Sequence, residues 1–131
     1  MTQKEKEILI QDLCARLPYG VKIDMRGYVV PKTLCAIEFT DEKVLFRVKG
    51  LNETFDFDVE NVKPYLRPLS DITESEKSLY ALYVKNTEGF IYSLESCYEM
   101  RWCLKHHFDV NGLIQKGLAY DASKDESIRL W

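Results

Sequence analysis

Residues 33–60, TLCAIEFTDEKVLFRVKGLNETFDFDVE, decide the fold. Cys35, Ile37 and Phe39 alternate with Leu34, Ala36, Glu38 and Thr40. Val44, Phe46 and Val48 alternate with Lys43, Leu45, Arg47 and Lys49. Phe55, Phe57 and Val59 alternate with Thr54, Asp56, Asp58 and Glu60. Successive side chains of a strand point to opposite faces, so a period of two marks a strand with one buried face. A turn centred on Asp41-Glu42 sets Phe39 opposite Val44, Ile37 opposite Phe46 and Cys35 opposite Val48. A second turn, centred on Leu51-Asn52, sets Val48 opposite Phe55, Phe46 opposite Phe57 and Val44 opposite Val59. Every inward pair is then apolar, and on the other face Arg47 meets Asp56 and Lys43 meets Glu60, opposite charges across strands. A slip of one residue would turn the apolar set to water. The stretch predicts a three-stranded antiparallel meander.

Working upstream, Val21, Ile23 and Met25 alternate with Lys22, Asp24 and Arg26, which predicts another strand. Before it, Ile10, Leu13, Cys14 and Leu17 recur at helical spacing, with Leu9 widening the stripe. Thr2 caps this helix, and Pro18-Tyr19-Gly20 stops it. Downstream, Val62 to Leu66 supply a further strand, and Arg67-Pro68-Leu69-Ser70-Asp71 an extended connector. The register then becomes helical. Thr73 with Glu76, and Ser96 with Glu99, have the spacing of capping boxes. Leu79, Leu82 and Tyr83 mark one buried helix face, and Cys97, Met100, Leu104 and Phe108 another. Asp109 caps a short last helix with Val110, Leu113 and Ile114, closed by Gly117.

The expectation is one α+β domain over 1–131, sheet-rich over 1–69 and helical over 70–131. An N-terminal helix is followed by a four- to five-stranded antiparallel meander and two to three C-terminal helices. The apolar sheet face needs a cover. Either the sheet curls into an SH3-like barrel or helices pack across it.

Composition supports an ordinary globular chain. Of 131 residues, 46% are hydrophobic and 30% charged, a composition that argues against disorder. Net charge is −3, with 11 basic and 11 acidic side chains over 1–70 and 7 and 10 over 71–131. Neither half has the basic footprint of a nucleic-acid or anionic-lipid binder. The charged start Met-Thr-Gln-Lys-Glu-Lys-Glu is no secretory signal, and no apolar run approaches membrane length. The four cysteines, Cys14, Cys35, Cys97 and Cys103, fall inside apolar patterns. A reducing, cytoplasmic setting is expected.

Four constellations carry possible chemistry. Glu99, Cys103, His106 and His107 offer carboxylate, thiolate and imidazole, the donors zinc accepts. Cys103 and His107 are four apart, and Glu99, Cys103 and His106 form an i, i+4, i+7 line. The spacing matches no paired-ligand signature, and a core cysteine beside histidines at a helix C-terminus explains it equally. Cys103 with either histidine also has the atoms of a nucleophile and its base. Asp56, Asp58 and Glu60 line one strand face, where Arg47 and Lys43 neutralise them. Tyr80, Tyr83, Tyr92, Tyr98, Trp102 and Tyr120 concentrate aromatics in the second half, as core or as a contact surface. No phosphate loop, dinucleotide turn or nucleophile elbow is present, and no cofactor is called for.

Three stretches together carry a resemblance. They are Leu17-Pro18-Tyr19-Gly20-Val21, then Val62 through Ser70 followed by Thr73-Glu74, and then His106-His107-Phe108-Asp109 leading into Gly112-Leu113-Ile114 and Gly117-Leu118-Ala119. The arrangement resembles small uncharacterised proteins encoded by prophages and other mobile elements of gut anaerobes. It implies an accessory bacterial or phage protein made in the cytoplasm. The functional expectation is a non-enzymatic binding or adaptor module, its partner a protein ahead of a nucleic acid. Pro64, Tyr65 and Arg67 of the connector, with Tyr80 and Trp102, form its candidate surface. The competing class is a small metal-binding protein or enzyme centred on Glu99, Cys103, His106 and His107.

Overall fold

A computed structural model of the chain describes residues 1–25, 31–41, 43–49, 54–55, 59–78 and 100–124. Helix α1 (Gln3–Arg16) and a 3-10 turn (Leu17–Tyr19) precede strands β1 (Lys22–Met25), β2 (Lys32–Phe39), β3 (Val44–Val48) and β4 (Thr54–Phe55). A 3-10 turn (Val59–Asn61), β5 (Val62–Leu66) and a second such turn (Leu69–Asp71) follow. Helical residues 74–78 and 100–105 come before the short β6 (Tyr120–Asp121). The class is α+β.

The Thr2 hydroxyl accepts the Glu5 N–H at 3.1 Å, and the Glu5 carboxylate accepts the Thr2 N–H at 2.9 Å, so α1 opens on a full capping box. Gly20 ends the following turn at φ 70, a left-handed conformation that suits glycine. A Cβ there would also press on Thr33 Cγ2 at 3.3 Å. The buried stripe of α1 is Leu9, Asp12, Leu13 and Arg16, at i, i+3, i+4 and i+7. It is rotated from the Ile10–Cys14–Leu17 stripe because a charged pair occupies part of the inner face. Ile10 and Leu17 pack at its edges.

The strand order is β4-β3-β2-β1-β5-β6. All neighbours are antiparallel except β5 and β6, where Tyr65 pairs with Tyr120 and Leu66 with Asp121 in parallel. The sheet is therefore mixed, not a pure antiparallel meander. The first hairpin has Phe39 opposite Val44 and Ile37 opposite Phe46, as the pattern requires. The register then shifts between Leu34 and Ala36, and Leu34 opposes Val48 in place of Cys35. This bulge turns the larger apolar side chain inward: Leu34 is 1% exposed, whereas Cys35 faces solvent. In the second hairpin Phe46 opposes Phe55 and Arg47 opposes Thr54, two residues from the expected register. An even shift keeps every side chain on its face, so apolar patterning cannot distinguish the two registers. Residues 56–58, with Asp56 and Asp58, lie outside the described residues. Glu60 lies on the 3-10 turn and pairs with Lys6 of α1 at 3.2 Å.

The barrel expectation is corrected. β4 and β6 stand at opposite edges of an open sheet, and no ladder among the described strands joins them. Helix and turn cover the apolar face in place of curling. Leu9 and Leu13 of α1, with Leu113 and Leu118, pack on Ile23, Leu34, Phe46, Val48, Val62 and Leu66 in one cluster. Full burial of each such side chain is worth about 1.5–3 kcal/mol. The expected last helix is a set of turns over 113–117. Asp109 does cap it, accepting from the N–H groups of Leu113 at 2.9 Å and Ile114 at 3.0 Å. Gly117 closes it at φ 73, and Gly112 at φ 67 interrupts any helix between. Among the described residues, no helix is long and apolar enough to cross a membrane.

Candidate functional site

Residues 107–109 are fastened to the sheet at the end of β5. There the backbone of Arg67 pairs with the strand-like backbone around Phe108. Arg67 N–H donates to the His107 carbonyl at 2.8 Å, and Asp109 N–H to the Arg67 carbonyl at 2.8 Å. The helical residues 100–105 end just before this in a Schellman arrangement. Phe108 N–H donates to the Cys103 carbonyl at 2.9 Å and His107 N–H to that of Leu104 at 3.1 Å, with His107 left-handed at φ 65. Histidine stands where glycine is usual, which costs roughly 1–2 kcal/mol of backbone strain. The residue is 4% exposed.

The Arg67 side chain is 2% exposed and nearly saturated with acceptors. Its Nη1 and Nη2 donate to the two oxygens of Glu76 at 2.6 Å each, and Nε to Asp71 Oδ2 at 3.1 Å. The Asp71 and His106 carbonyls accept at 3.3 and 3.4 Å. Its guanidinium carbon lies 4.3 Å from the centroid of the Phe108 ring, which stacks on Trp102. Glu76 is positioned by its own capping box with Thr73. The Arg67 hydrogen bonds hold its carboxyl down at about 2, against the raising effect of burial.

A second buried arginine works from the opposite side. Arg16 Nε donates to Asp12 Oδ2 at 2.7 Å, and Nη2 to Asp12 Oδ1 at 3.2 Å. Nη2 also donates to the Phe108 carbonyl at 2.7 Å. Asn111 donates to Asp12 Oδ1 at 2.8 Å. Phe108 is thus held through its ring by one arginine and through its carbonyl by another. The spacing of Asp12 and Arg16 within the stripe Leu9–Asp12–Leu13–Arg16 was the sequence signal for this clasp.

Of the candidate metal residues, Cys103, His106 and His107 are described, and the helix end falls between Cys103 and the two histidines. Glu99 lies outside the described residues. The helix stops at 105 and His107 turns left-handed, so Cys103 and His107 do not continue one helical face. His106 lies tilted against Trp102 with centroids 4.5 Å apart, its Nδ1 3.8 Å from Glu76 Oε2. Among the described residues, no group of three or more His, Cys, Asp or Glu could hold a metal ion. Burial lowers the His106 pKa, opposed by Glu76 and aided by Lys105 and Arg67. A lowered folded pKa means that the stability tied to neutral His106 is present above the ordinary value of 6.5 and lost as pH falls below it. His106→Phe keeps a ring against Trp102 and removes the titration. The expected result is that urea midpoints between pH about 7.5 and about 5 fall further in the native chain than in the variant. Parallel pH profiles would refute it.

Of the candidate binding residues, Pro64, Arg67 and Trp102 are buried, and Tyr80 lies outside the described residues. Tyr65 is half-buried on the outer sheet face. The parallel pairing of β6 stacks Tyr120 on it, centroids 5.0 Å apart. Lys63 Nζ sits 4.1 Å from the Tyr120 centroid, and the Tyr120 hydroxyl donates to Asp24 at 3.3 Å. Burial and the Asp24 charge raise the Tyr120 pKa. Two residues of parallel strand have no readable period, so this pair could not be placed from sequence. Further along the same face, Ala36, Glu38, Leu45 and Arg47 line a depression of about 130 Å³, below the roughly 300 Å³ at which small-molecule pockets begin.

No protein-family model matches this chain, and no curated protein or solved structure is detectably similar to it.

Proposed function

We propose that the chain is a non-enzymatic binding module, of the accessory kind carried by phages and mobile elements, acting on a protein partner in the cytoplasm. The observation that carries this reading is the outer sheet face at β1, β5 and β6. Tyr65 and Tyr120 stack there, Lys63 lies over Tyr120, and Asp24 anchors the Tyr120 hydroxyl. Tyrosine supplies contact area at low entropic cost, and these two rings are already held in place, so little ordering is needed on binding. The reactive groups nearby support the same reading. Arg67, Glu76 and His106 are engaged with one another and with backbone carbonyls, which is a structural use.

The test is affinity capture from host lysate, with and without nuclease, using the native chain and a Tyr65→Ser/Tyr120→Ser variant. Both substitutions are on the outer face and leave the core intact. A protein set retained through nuclease treatment and lost in the variant is the expected result. A set released by nuclease, or retained equally by native chain and variant, would sink the proposal.

A further inference from the structure

From Leu34 to Phe39, strand β2 is paired along one side, with β3, apart from the bulge at Cys35. Toward β3, Thr40 N–H donates to the Lys43 carbonyl at 2.9 Å. In an antiparallel ladder, hydrogen-bonded and non-hydrogen-bonded pairs alternate. With Glu38 opposite Leu45 and Ala36 opposite Arg47, residues 36, 38 and 40 turn their backbone groups to β3. Ile37 and Phe39, opposite Phe46 and Val44, turn theirs the other way. On that side β1 reaches only the start of β2: Lys22 opposes Thr33, Ile23 opposes Lys32, and the Val21 carbonyl takes the Leu34 N–H at 2.9 Å. Beyond Leu34, no described strand pairs with this edge.

The edge also lacks the usual guards. Natural sheets blunt open edges with lysine or proline. Cys35-Ala36-Ile37-Glu38-Phe39 carries neither, its one charge being Glu38. Phe39 is 60% exposed although it lies on the core-facing side of the strand with Ile37. On the outer side, Glu38 has no ion-pair partner among the described residues, and Arg47 lies toward β3, away from the free edge.

We propose that this edge accepts a strand from the partner, an extended segment of apolar–basic–apolar pattern; the proposal rests on the reading that the partner is a protein. The outward backbone groups of Ile37 and Phe39 require an extended backbone as their complement. Apolar side chains of the added strand cover Ile37 and Phe39, and the basic one between them lies beside Glu38. A second copy of this chain is disfavoured in the two registers centred on Glu38 and on Ile37. Antiparallel pairing centred on Glu38 sets two glutamates face to face. Centred on Ile37, it drives Thr40 of the copy against Leu34, whose N–H is already taken.

The experiment titrates the isotope-labelled full chain with the peptide acetyl-Thr-Val-Lys-Val-Thr-amide and follows backbone amides by NMR. A control peptide has Glu in place of Lys. The expected result is movement and slowed exchange of the Ile37 and Phe39 amides with the lysine peptide, and affinity at least about tenfold weaker for the control. Glu38→Lys reverses the preference. Phe39→Pro removes an N–H that no ladder bond uses, so the fold stays and binding is lost. Ile37 and Phe39 amides unmoved at about 1 mM lysine peptide, equal affinity for both peptides, or the same amides protected by self-association would each overturn the proposal. Capture that depends on Tyr65 and Tyr120 but survives Phe39→Pro would overturn the edge alone and leave the binding-module reading standing.

Discussion

Arg67→Leu lowers the free energy of unfolding by about 3–5 kcal/mol, a large part of the roughly 5–15 kcal/mol that holds a domain folded. The magnitude follows from what the change strands. Glu76 loses both of its 2.6 Å guanidinium hydrogen bonds while only 14% exposed, and the Asp71 and His106 carbonyls lose a donor. Removing one partner of a buried pair leaves the other's desolvation uncompensated. The Arg67→Leu/Glu76→Leu double variant is therefore expected to be more stable than the single one, since replacing a whole buried pair by apolar groups is close to neutral. Urea unfolding of native, single and double variants measures both differences. The same pair sets the acid limit. Glu76 titrates near 2 in the folded chain and near 4.5 when free, so its stabilisation is complete above 4.5 and lost as pH falls toward 2. That gap corresponds to about 3 kcal/mol, and the acid slope it produces disappears in the double variant. A single variant within about 1 kcal/mol of the native chain would show that the Arg67 network is ornamental to stability.

The parts of this fold that were legible in sequence are those with a long period. Eight residues of β2 and five of β3 fix their hairpin, and fourteen of α1 fix a helix. Thr73 and Glu76 announce a helix start that the hydrogen bonds bear out. What was not legible falls into two kinds. The two-residue shift between β3 and β4, and the bulge that exchanges Cys35 for Leu34, leave the apolar pattern almost unchanged, so pattern cannot choose between registers. The pairing of Tyr65 with Tyr120 and of Arg67 with Phe108 depends on where a distant segment docks, and no local period encodes that. The buried charges form a middle case. Asp12 and Arg16 sit in the inward stripe of α1 at i, i+4, a spacing that favours an ion pair, but charged residues are so seldom fully buried that Ile10, Cys14 and Leu17 looked the better inner face. Arg67 was expected to meet a partner from an extended connector; at 2% exposed it instead ties the end of β5 to the backbone around Phe108, a long-range contact that the sequence does not encode locally.

The second large effect is expected at Asp12. Arg16 is wholly buried, and Asp12 supplies its only carboxylate among the described residues. Asp12→Ala leaves the guanidinium with the Phe108 carbonyl and deprives Asn111 of its acceptor, at an expected cost of about 3–5 kcal/mol. Arg16→Met should cost less, because Asp12 keeps the Asn111 amide while the methionine stem refills the core beside Leu13. The Asp12→Leu/Arg16→Met double variant should recover part of the Asp12→Ala loss, as removal of the whole pair leaves no charge unanswered. It should not restore native stability, because the hydrogen bond to Phe108, which spans 92 residues from α1, is gone. The Phe108 carbonyl is also next to the backbone pairing with Arg67, so its release is felt at the first clasp. A double-mutant cycle between Arg16→Met and Arg67→Leu is therefore expected to show coupling of about 0.5–3 kcal/mol, the two losses together being smaller than their sum. Once Phe108 is released from one side, the other clasp has less left to hold. Strict additivity in urea unfolding would mean that the two arginines secure separate parts of the chain and that Phe108 does not join them.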